Sequence, residues 1–508
     1  MSIAKCYSAQ LIGLQAEIIT IEVDISNGLH AFSVVGLGDR SVDEARDRIS
    51  AAIKNSGHVS PKQKNQKVII SLAPADIRKV GTSFDLAMAV GYLRASQTVS
   101  FDPEGILFLG ELSLEGNIRK VPGILPILCQ MKERGYRIAF VPLQNAYEAC
   151  LARDCRIYTV TSLNEVLSHL SGTTLLTPLP PHHEHAPSPQ EYLMDMNIVR
   201  GNESAKRGLE IAAAGAHNIL MYGPPGTGKT LLAQCFVSLL PPLTYEQSVE
   251  VTGIHSAAHT LGAGLILYPP FRSPHHTASY PSIVGGGAFP KPGEITLAHR
   301  GVLFLDEFPE FDRKVLEALR QPLEERAITI SRAQGSVSFP AQCILIASMN
   351  PCPCGKGRDR GCVCTIKLLE AYKRRISGPI MDRIDVCLAV NKVDYEKLAA
   401  KNVSLESSAS IRDRVLAARK LQKERFKRYN IAKNYNSEMN AQDIEKCLNM
   451  SDEARAVLAV SAQKFGLSGR AFHRVMKVGQ TIADLASRAL VEKKDILEAL
   501  QYRRKIDE

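Results

Sequence analysis

Tryptophan is absent from the 508 residues, and aromatic side chains make up only 6% of them. So few flat platforms leave little for bases to stack on, so nucleic acid, if bound, would be held mainly by its phosphates. Long apolar runs are missing too. No stretch of about 18 apolar residues occurs, so a membrane span is not expected. The opening MSIAKCYSAQLIGLQ lacks a charged stretch leading into an apolar one, so no secretory signal is expected and a cytoplasmic location is. Acidic residues are in deficit, 52 against 62 basic ones, and the resulting net charge of +10 favours anionic partners such as nucleic acid without requiring one. Cysteine is sparse outside one cluster. Of the twelve, eight are scattered singly, among them Cys6, Cys129, Cys235, Cys343 and Cys387, mostly in apolar contexts. They read as reduced, buried thiols rather than a disulfide framework. Internal repeats are also lacking.

A chain of this length suggests about three domains at roughly 100–200 residues each. Residues 1–170 alternate strand-like stretches (EIITIEVDI, HAFSVVGL, KVIISLAP, RIAFVPL) with helix-like ones such as SVDEARDRISAAIKNSG, and read as one mixed α/β domain. Residues 171–192, SGTTLLTPLPPHHEHAPSPQEY, have no apolar period and read as a linker, with His182, His183 and His185 solvated rather than bound to metal. Residues 193–392 form a second α/β unit and residues 393–508 a helical one, carrying IRDRVLAARKLQKERFKRY and SGRAFHRVMKVGQTIADLASRAL.

The second unit contains HNILMYGPPGTGKTLLAQCF, an apolar strand, a glycine loop and a helix. The loop, Gly223-Pro224-Pro225-Gly226-Thr227-Gly228-Lys229-Thr230, fits G-x-x-x-x-G-K-[ST]. Its backbone N–H groups and the helix's positive end suit phosphates; Lys229 would reach the β- and γ-phosphates of ATP and Thr230 would hold Mg²⁺. Further on, RGVLFLDEF ends an apolar strand in Asp306 and Glu307. Asp306 would complete the Mg²⁺ shell and Glu307 would orient or deprotonate the attacking water. The strand CILIASMN ends in Asn350, placed to hold that water, and GPIMDRIDV sets Arg383 on a turn before another strand. Phosphoryl transfer uses an arginine against transition-state charge, and Arg374, Arg375 and Arg383 all compete for that role.

Cys352, Cys354, Cys362 and Cys364 in MNPCPCGKGRDRGCVC offer four thiolates for Zn²⁺, with Gly355, Gly357 and Gly361 letting the loop close round the ion. An iron–sulfur cluster is the other metal reading, though the usual spacings are absent. Between the pairs, Lys356, Arg358 and Arg360 face a single Asp359. Together with Arg332 near a hairpin, they are candidate contacts to DNA phosphates, against the alternative of a solvated loop whose zinc only pins the fold.

With these motifs in place the chain resembles the AAA+ ATPases of the magnesium-chelatase-like branch. GPPGTGKT is similar to their Walker A, VLFLDE to Walker B and Asn350 to sensor 1. DRID is similar to the turn bearing the trans arginine finger, which favours Arg383, and LSGRAFHR resembles the sensor 2 motif, which implies Arg470. The resemblance places a helix-2 insert within residues 271–301 and a pre-sensor-1 hairpin in AITISRAQGSVSFPAQ, turning at Gln334-Gly335. KVGTSFDLAMAVGYL and LGELSLEGNIRKVPGILPI resemble the proteolytic domain of Lon-type enzymes, with Ser83 at the nucleophile position but Leu125 where that family has its lysine, implying an inactive scaffold. A Lon-like α+β domain, a linker, a doubly wound parallel AAA+ sheet with a zinc loop and a C-terminal helical lid are together similar to the bacterial ComM/YifB group. That resemblance implies a homo-hexameric DNA helicase using ATP, Mg²⁺ and Zn²⁺. Its implied work is branch migration on single-stranded, duplex and branched DNA during homologous recombination in natural transformation, with recombination proteins as partners. The alternatives are a magnesium-chelatase-type metal-insertion subunit, an ATP-dependent protease and a non-enzymatic assembly platform.

Overall fold

A computed structural model describes residues 3–181, 194–262, 264–287, 290–332, 335–357, 361–393 and 406–503, without the side chains of Arg332 and Gly335. The linker histidines, Gln334, Arg358 and Arg360 therefore lie outside the described residues. The chain divides into two compact units: Met1–Ala186 with Tyr245–Ile266 and Ala288–Pro292, and Pro187–Thr244 with Leu267–Gly287 and Gly293–Glu508.

In the first unit, strands β1 (Ala4–Ile12), β2 (Gln15–Asn27), β3 (Ala31–Val35) and, after helix α1 (Arg40–Asn55), β4 (Gln66–Ala73) form a mixed sheet in the order β1-β2-β4-β3. The alternation in β2 buries Ile19, Ile21 and Val23 on one face. Asp39 caps α1 by accepting from the Val42 N–H at 3.0 Å, and Val42, Ala45, Ile49 and Ile53 recur at helical spacing as its buried stripe. Helix α2 (Asp85–Ala95) packs on the same sheet. A second, parallel sheet consists of β5 (Ile106–Phe108), β6 (Ile138–Pro142) and β7 (Arg156–Val160), and α3 (Ile124–Met131) precedes β6. Leu125, on α3, is fully buried.

The helix Tyr245–Ala257, though distant in sequence, belongs to this unit. It lies on α3, with Gly253 closely facing Pro126. Its Tyr245 hydroxyl donates to the Leu151 carbonyl at 2.8 Å, and the Ser256 hydroxyl donates to Glu148 at 2.6 Å.

The second unit begins with α4 (Glu203–Gly215), β8 (Ile219–Tyr222) and α5 (Lys229–Ser238), followed by β9 (Phe271–Arg272) and β10 (Val302–Leu305). A hairpin of β11 (Ala327–Arg332) and β12 (Gly335–Pro340) leads to β13 (Ile344–Met349), α6 (Ile366–Arg375) and β14 (Val386–Ala389). Five of these strands make one parallel sheet in the order β9-β10-β13-β8-β14, as expected of a doubly wound core. Its buried strands are apolar runs broken only by Ser348, the pattern of a sheet covered on both faces. The hairpin pairs Arg332 with Gly335, so Gly335 belongs to β12 rather than to the expected Gln334-Gly335 turn, whose Gln334 lies outside the described residues. Helices α7 (Ser408–Arg428), α8 (Asp452–Phe465), α9 (Gly469–Leu485) and α10 (Lys493–Gln501) complete the unit. Serines cap three of them: Ser407, Ser451 and Ser468 each accept from a first-turn N–H. Ile411, Val415, Val475 and Ile482 of these helices share one apolar core with Leu209 and Val386.

Candidate functional site

Parallel strands deliver their carboxyl ends to one edge, and the order places β8 between β13 and β14, away from its chain neighbour β9. Such a reversal opens a crevice for ligands. In register, Tyr222 lies opposite Met349, and Leu305 opposite Ala347, so the next residues, Gly223, Asn350 and Asp306, emerge together. Asp306 and Asn350 border a cavity of about 440 Å³ whose lining also includes Gly226, Lys229, Thr230 and Glu307. Gly223 is obligatory: a Cβ there would sit 2.0 Å from the Val390 carbonyl oxygen.

Lys229 opens α5 and donates to the Gly223 carbonyl at 2.7 Å, the Pro224 carbonyl at 2.9 Å and Asn350 Oδ1 at 3.2 Å. Burial pulls its ammonium below the usual lysine range, against the attraction of Asp306 and Glu307. Thr230 Oγ1 donates to Asp306 Oδ2 at 3.0 Å. The other Asp306 oxygen accepts from the Ser348 hydroxyl and from the Glu307 N–H. A carboxylate held on both oxygens beside a threonine hydroxyl is a hard, oxygen-donor set suited to Mg²⁺. Pro225, Thr227 and Gly228 complete the loop side of the cavity, with Thr227 Oγ1 donating to the Pro224 carbonyl at 2.9 Å.

Glu307 takes a left-handed backbone, φ 52°, and its Oε2 lies 3.4 Å from His276 Nδ1. His276 and Ser348 were not anticipated from the sequence. Within residues 271–301 the described chain forms β9, the helices Tyr280–Val284 and Glu294–Leu297, and a bidentate pair in which Arg272 donates to Glu294 at 2.6 and 2.7 Å.

Arg383 and Arg470 lie elsewhere in the unit, around a polar cavity of about 650 Å³ that also contains Glu324, Asp385, Arg474 and Lys477. Glu324 joins the two arginines: one oxygen accepts from Arg383 and the other is 3.5 Å from Arg470. Arg383 also donates to the Pro379 carbonyl at 2.7 Å. The competing arginines are engaged otherwise, Arg374 with Glu370 at 3.3 Å and Arg375 with Glu310 at 2.5 Å. Glu324, an acid on a short helix, carried no signal in its own sequence context.

Asp385 is the buried hub beneath that cavity. It accepts from the Asn218 N–H at 3.1 Å, and it lies 3.3 Å from Arg474 and 3.5 Å from His217. Burial would raise its carboxyl, but Arg474, His217 and Lys477 outweigh it and hold it well below the usual carboxylate range. Burial also pulls Lys477 down to about 8. A carboxyl with a depressed pKa stabilises the fold above its ordinary range, near pH ~4, and loses that contribution as pH falls below it. Asp385→Ala is therefore expected to lower unfolding free energy at pH 7 by about 3–5 kcal/mol, since it strands buried cations. Denaturant titration at pH 7 checks this; an unchanged midpoint would show that the cluster contributes nothing net.

The four clustered cysteines are free thiols whose sulfurs all lie within 4.8 Å of one another. Cys352 Sγ is 3.3 Å from Cys354 Sγ and 3.6 Å from Cys362 Sγ, and the latter two are 3.6 Å apart. A tetrahedral zinc–thiolate centre with bonds of ~2.3 Å places its sulfurs ~3.8 Å apart, so the residues fit the ion. Hydrogen bonding, first from the Lys356 backbone, lowers the Cys354 thiol to about 6, whereas the thiols of Cys352, Cys362 and Cys364 are raised, so it is the spacing of the sulfurs that points to a metal. Gly355, Gly357 and Gly361 all have φ near +75°. The Lys356 side chain is exposed.

Comparison with known proteins agrees with this architecture. Residues 195–398 match the family model "Magnesium chelatase, subunit ChlI", residues 21–145 "Subunit ChlI of Mg-chelatase" and residues 405–503 "Magnesium chelatase, subunit ChlI C-terminal". The chain is 41% identical to the competence protein ComM of Haemophilus influenzae, over 99% of this chain and 98% of that protein. It is 40% identical to the uncharacterized protein YifB of Salmonella typhimurium, over 99% and 97%. A shorter stretch, 39% of this chain, is 26% identical to 21% of the DNA replication licensing factor mcm2 of Xenopus tropicalis. Near-complete coverage at this identity, over a sheet that gathers the nucleotide motifs at one edge, places the chain in the ComM/YifB family of magnesium-chelatase-like proteins.

Proposed function

We propose that the protein is an ATP-driven DNA motor: a homo-hexameric AAA+ ring that moves along DNA and drives branch migration while incoming DNA is integrated by homologous recombination. Membership of a magnesium-chelatase-like AAA+ family implies ATP hydrolysis with Mg²⁺. The observation that carries the ring is the make-up of the phosphate cavity, whose described lining contains Lys229 but no arginine. Hydrolysis leaves transition-state charge that one lysine does not neutralise, so Arg383, with Arg470 beside it, would serve the nucleotide of an adjoining subunit. The DNA substrate is inferred from the competence name of the first relative, the replication name of the last and the basic balance of the chain.

In this reading Lys229 binds the β- and γ-phosphates, Glu307 orients and deprotonates water, and Asn350 holds that water in line. Thr230 and Asp306 would hold Mg²⁺, which would neutralise negative charge developing on the phosphates. Cys352, Cys354, Cys362 and Cys364 would hold Zn²⁺, a structural cross-link. The β11–β12 hairpin with Arg332, and the loop with Lys356, Arg358 and Arg360, would touch the phosphate backbone. The first unit, read as a Lon-like domain, would be a scaffold. Among the described residues no side chain hydrogen-bonds the Ser83 hydroxyl, and the aligned Leu125 is apolar, so Ser83→Ala is expected to leave every activity unchanged.

The test is ATP turnover without DNA and with single strand, duplex and a mobile junction, beside Lys229→Ala. Stimulation by DNA and junction resolution are expected, both lost in the variant. Turnover indifferent to every DNA would transfer the weight to the second reading, favoured by the family models: metal insertion into a porphyrin with partner subunits.

A further inference from the structure

The four-cysteine loop and the phosphate loop touch. Gly355 lies so close to Pro225 of GPPGTGKT that a Cβ on it would be 2.9 Å from Pro225 Cδ and 3.1 Å from Cγ. A second connection runs along the chain. Asn350, whose Oδ1 accepts from Lys229, stands two residues before Cys352, and its backbone carbonyl accepts from the Tyr372 hydroxyl at 3.2 Å. The cysteine segment thus meets the nucleotide site at its proline and at its lysine.

Apolar packing does little to fix that segment. Among its described residues, from Pro351 to Thr365, no helix or strand forms, and Cys352 is the one buried side chain. Val363, between the last two thiols, is 79% exposed, and Ile366 just after them is 76% exposed. A loop without a core orders only if a cross-link offsets its conformational entropy. With a metal bound, the four sulfurs would be that cross-link, and the Gly357 N–H, donating to Cys352 Sγ at 3.3 Å, would support it.

We propose that the metal held by Cys352, Cys354, Cys362 and Cys364 is the anchor of the phosphate loop, so that loading of the thiolates by a soft divalent cation sets the affinity for nucleotide. This rests on the reading of the cluster as a zinc site. Metal loading fixes Gly355 under Pro225 and Asn350 beside Lys229. Loss of metal frees both, and the phosphate loop must then be ordered by the nucleotide itself, at the expense of affinity.

The experiment uses the full chain and a fluorescent, non-hydrolysable ATP analogue, with metal content measured in parallel. Purified protein is expected to contain zinc stoichiometrically. Stripping it with a chelator should weaken analogue binding about tenfold, and adding Zn²⁺ back should restore it. Gly355→Ala keeps all four thiols but adds a side chain at positive φ against Pro225, and its zinc content is measured beside the parent's. It should weaken the analogue by about the same factor with metal content unchanged. Circular dichroism and a melting temperature matching the parent's would show that the fold persists. Protein without bound metal, and with no affinity for Zn²⁺, would overturn the zinc reading and the proposal with it. Stoichiometric zinc whose removal leaves analogue affinity unchanged would overturn the anchor alone.

Discussion

Glu307→Gln is expected to bind ATP within about twofold of the parent and to turn it over ~10²–10⁴-fold more slowly, the usual worth of a positioned base. The expectation follows from how the backbone presents the side chain. β10 ends at Leu305, Asp306 is tied to Thr230 and Ser348, and Glu307 steps into a left-handed conformation that leaves its carboxylate half-exposed at the cavity. Glutamine keeps size and hydrogen bonding while losing proton affinity, so binding survives and chemistry does not. ATP titration and single-turnover hydrolysis on the same preparation separate the two. Undiminished turnover would move the base to another group, with His276, 3.4 Å from Glu307, the first to test.

Arg383→Ala is the companion case, with a loss of ~10³-fold or more in turnover and little change in ATP affinity, as for an arginine supplied in trans. Arg383 is absent from the lining of the phosphate cavity, and Glu324 holds it together with Arg470. Mixing decides where it acts. Arg383→Ala subunits keep an intact Lys229 site, and Lys229→Ala subunits keep an intact Arg383. If the subunits assemble as proposed, mixtures of the two should therefore hydrolyse ATP faster than either variant alone. Mixtures as inactive as their components would place the arginine's action within its own subunit.

Much of the second unit was legible because parallel strands buried on both faces leave short apolar runs, and their terminal polar residues stand out. VLFL runs into Asp306, ILIASM into Asn350 and ILMY into the glycine loop, and the sheet brings the three together. What stayed hidden was pairing between residues of ordinary type. Ser348 is one serine among many until parallel register sets it beside Asp306. Glu324 gains meaning only when distant turns bring Arg383 and Arg470 to it. In the first unit the strand Ile106–Phe108 is too short to show a period. The helix Tyr245–Ala257 shows the deeper limit: pattern can mark a helix, but says nothing of which core will receive it.

That helix bears on how the two units can be inherited. The chain leaves the nucleotide-binding unit after Thr244, contributes Tyr245–Ile266 to the other unit, and returns at Leu267. A truncation starting at residue 194 would remove α3 and leave Gly253, Ser256 and Tyr245 facing water in place of Pro126, Glu148 and Leu151. Units threaded in this way do not shuffle as cassettes. Gene fusion can append sequence to either end of such a chain, but cannot exchange its first unit without also rewriting a segment inside its second.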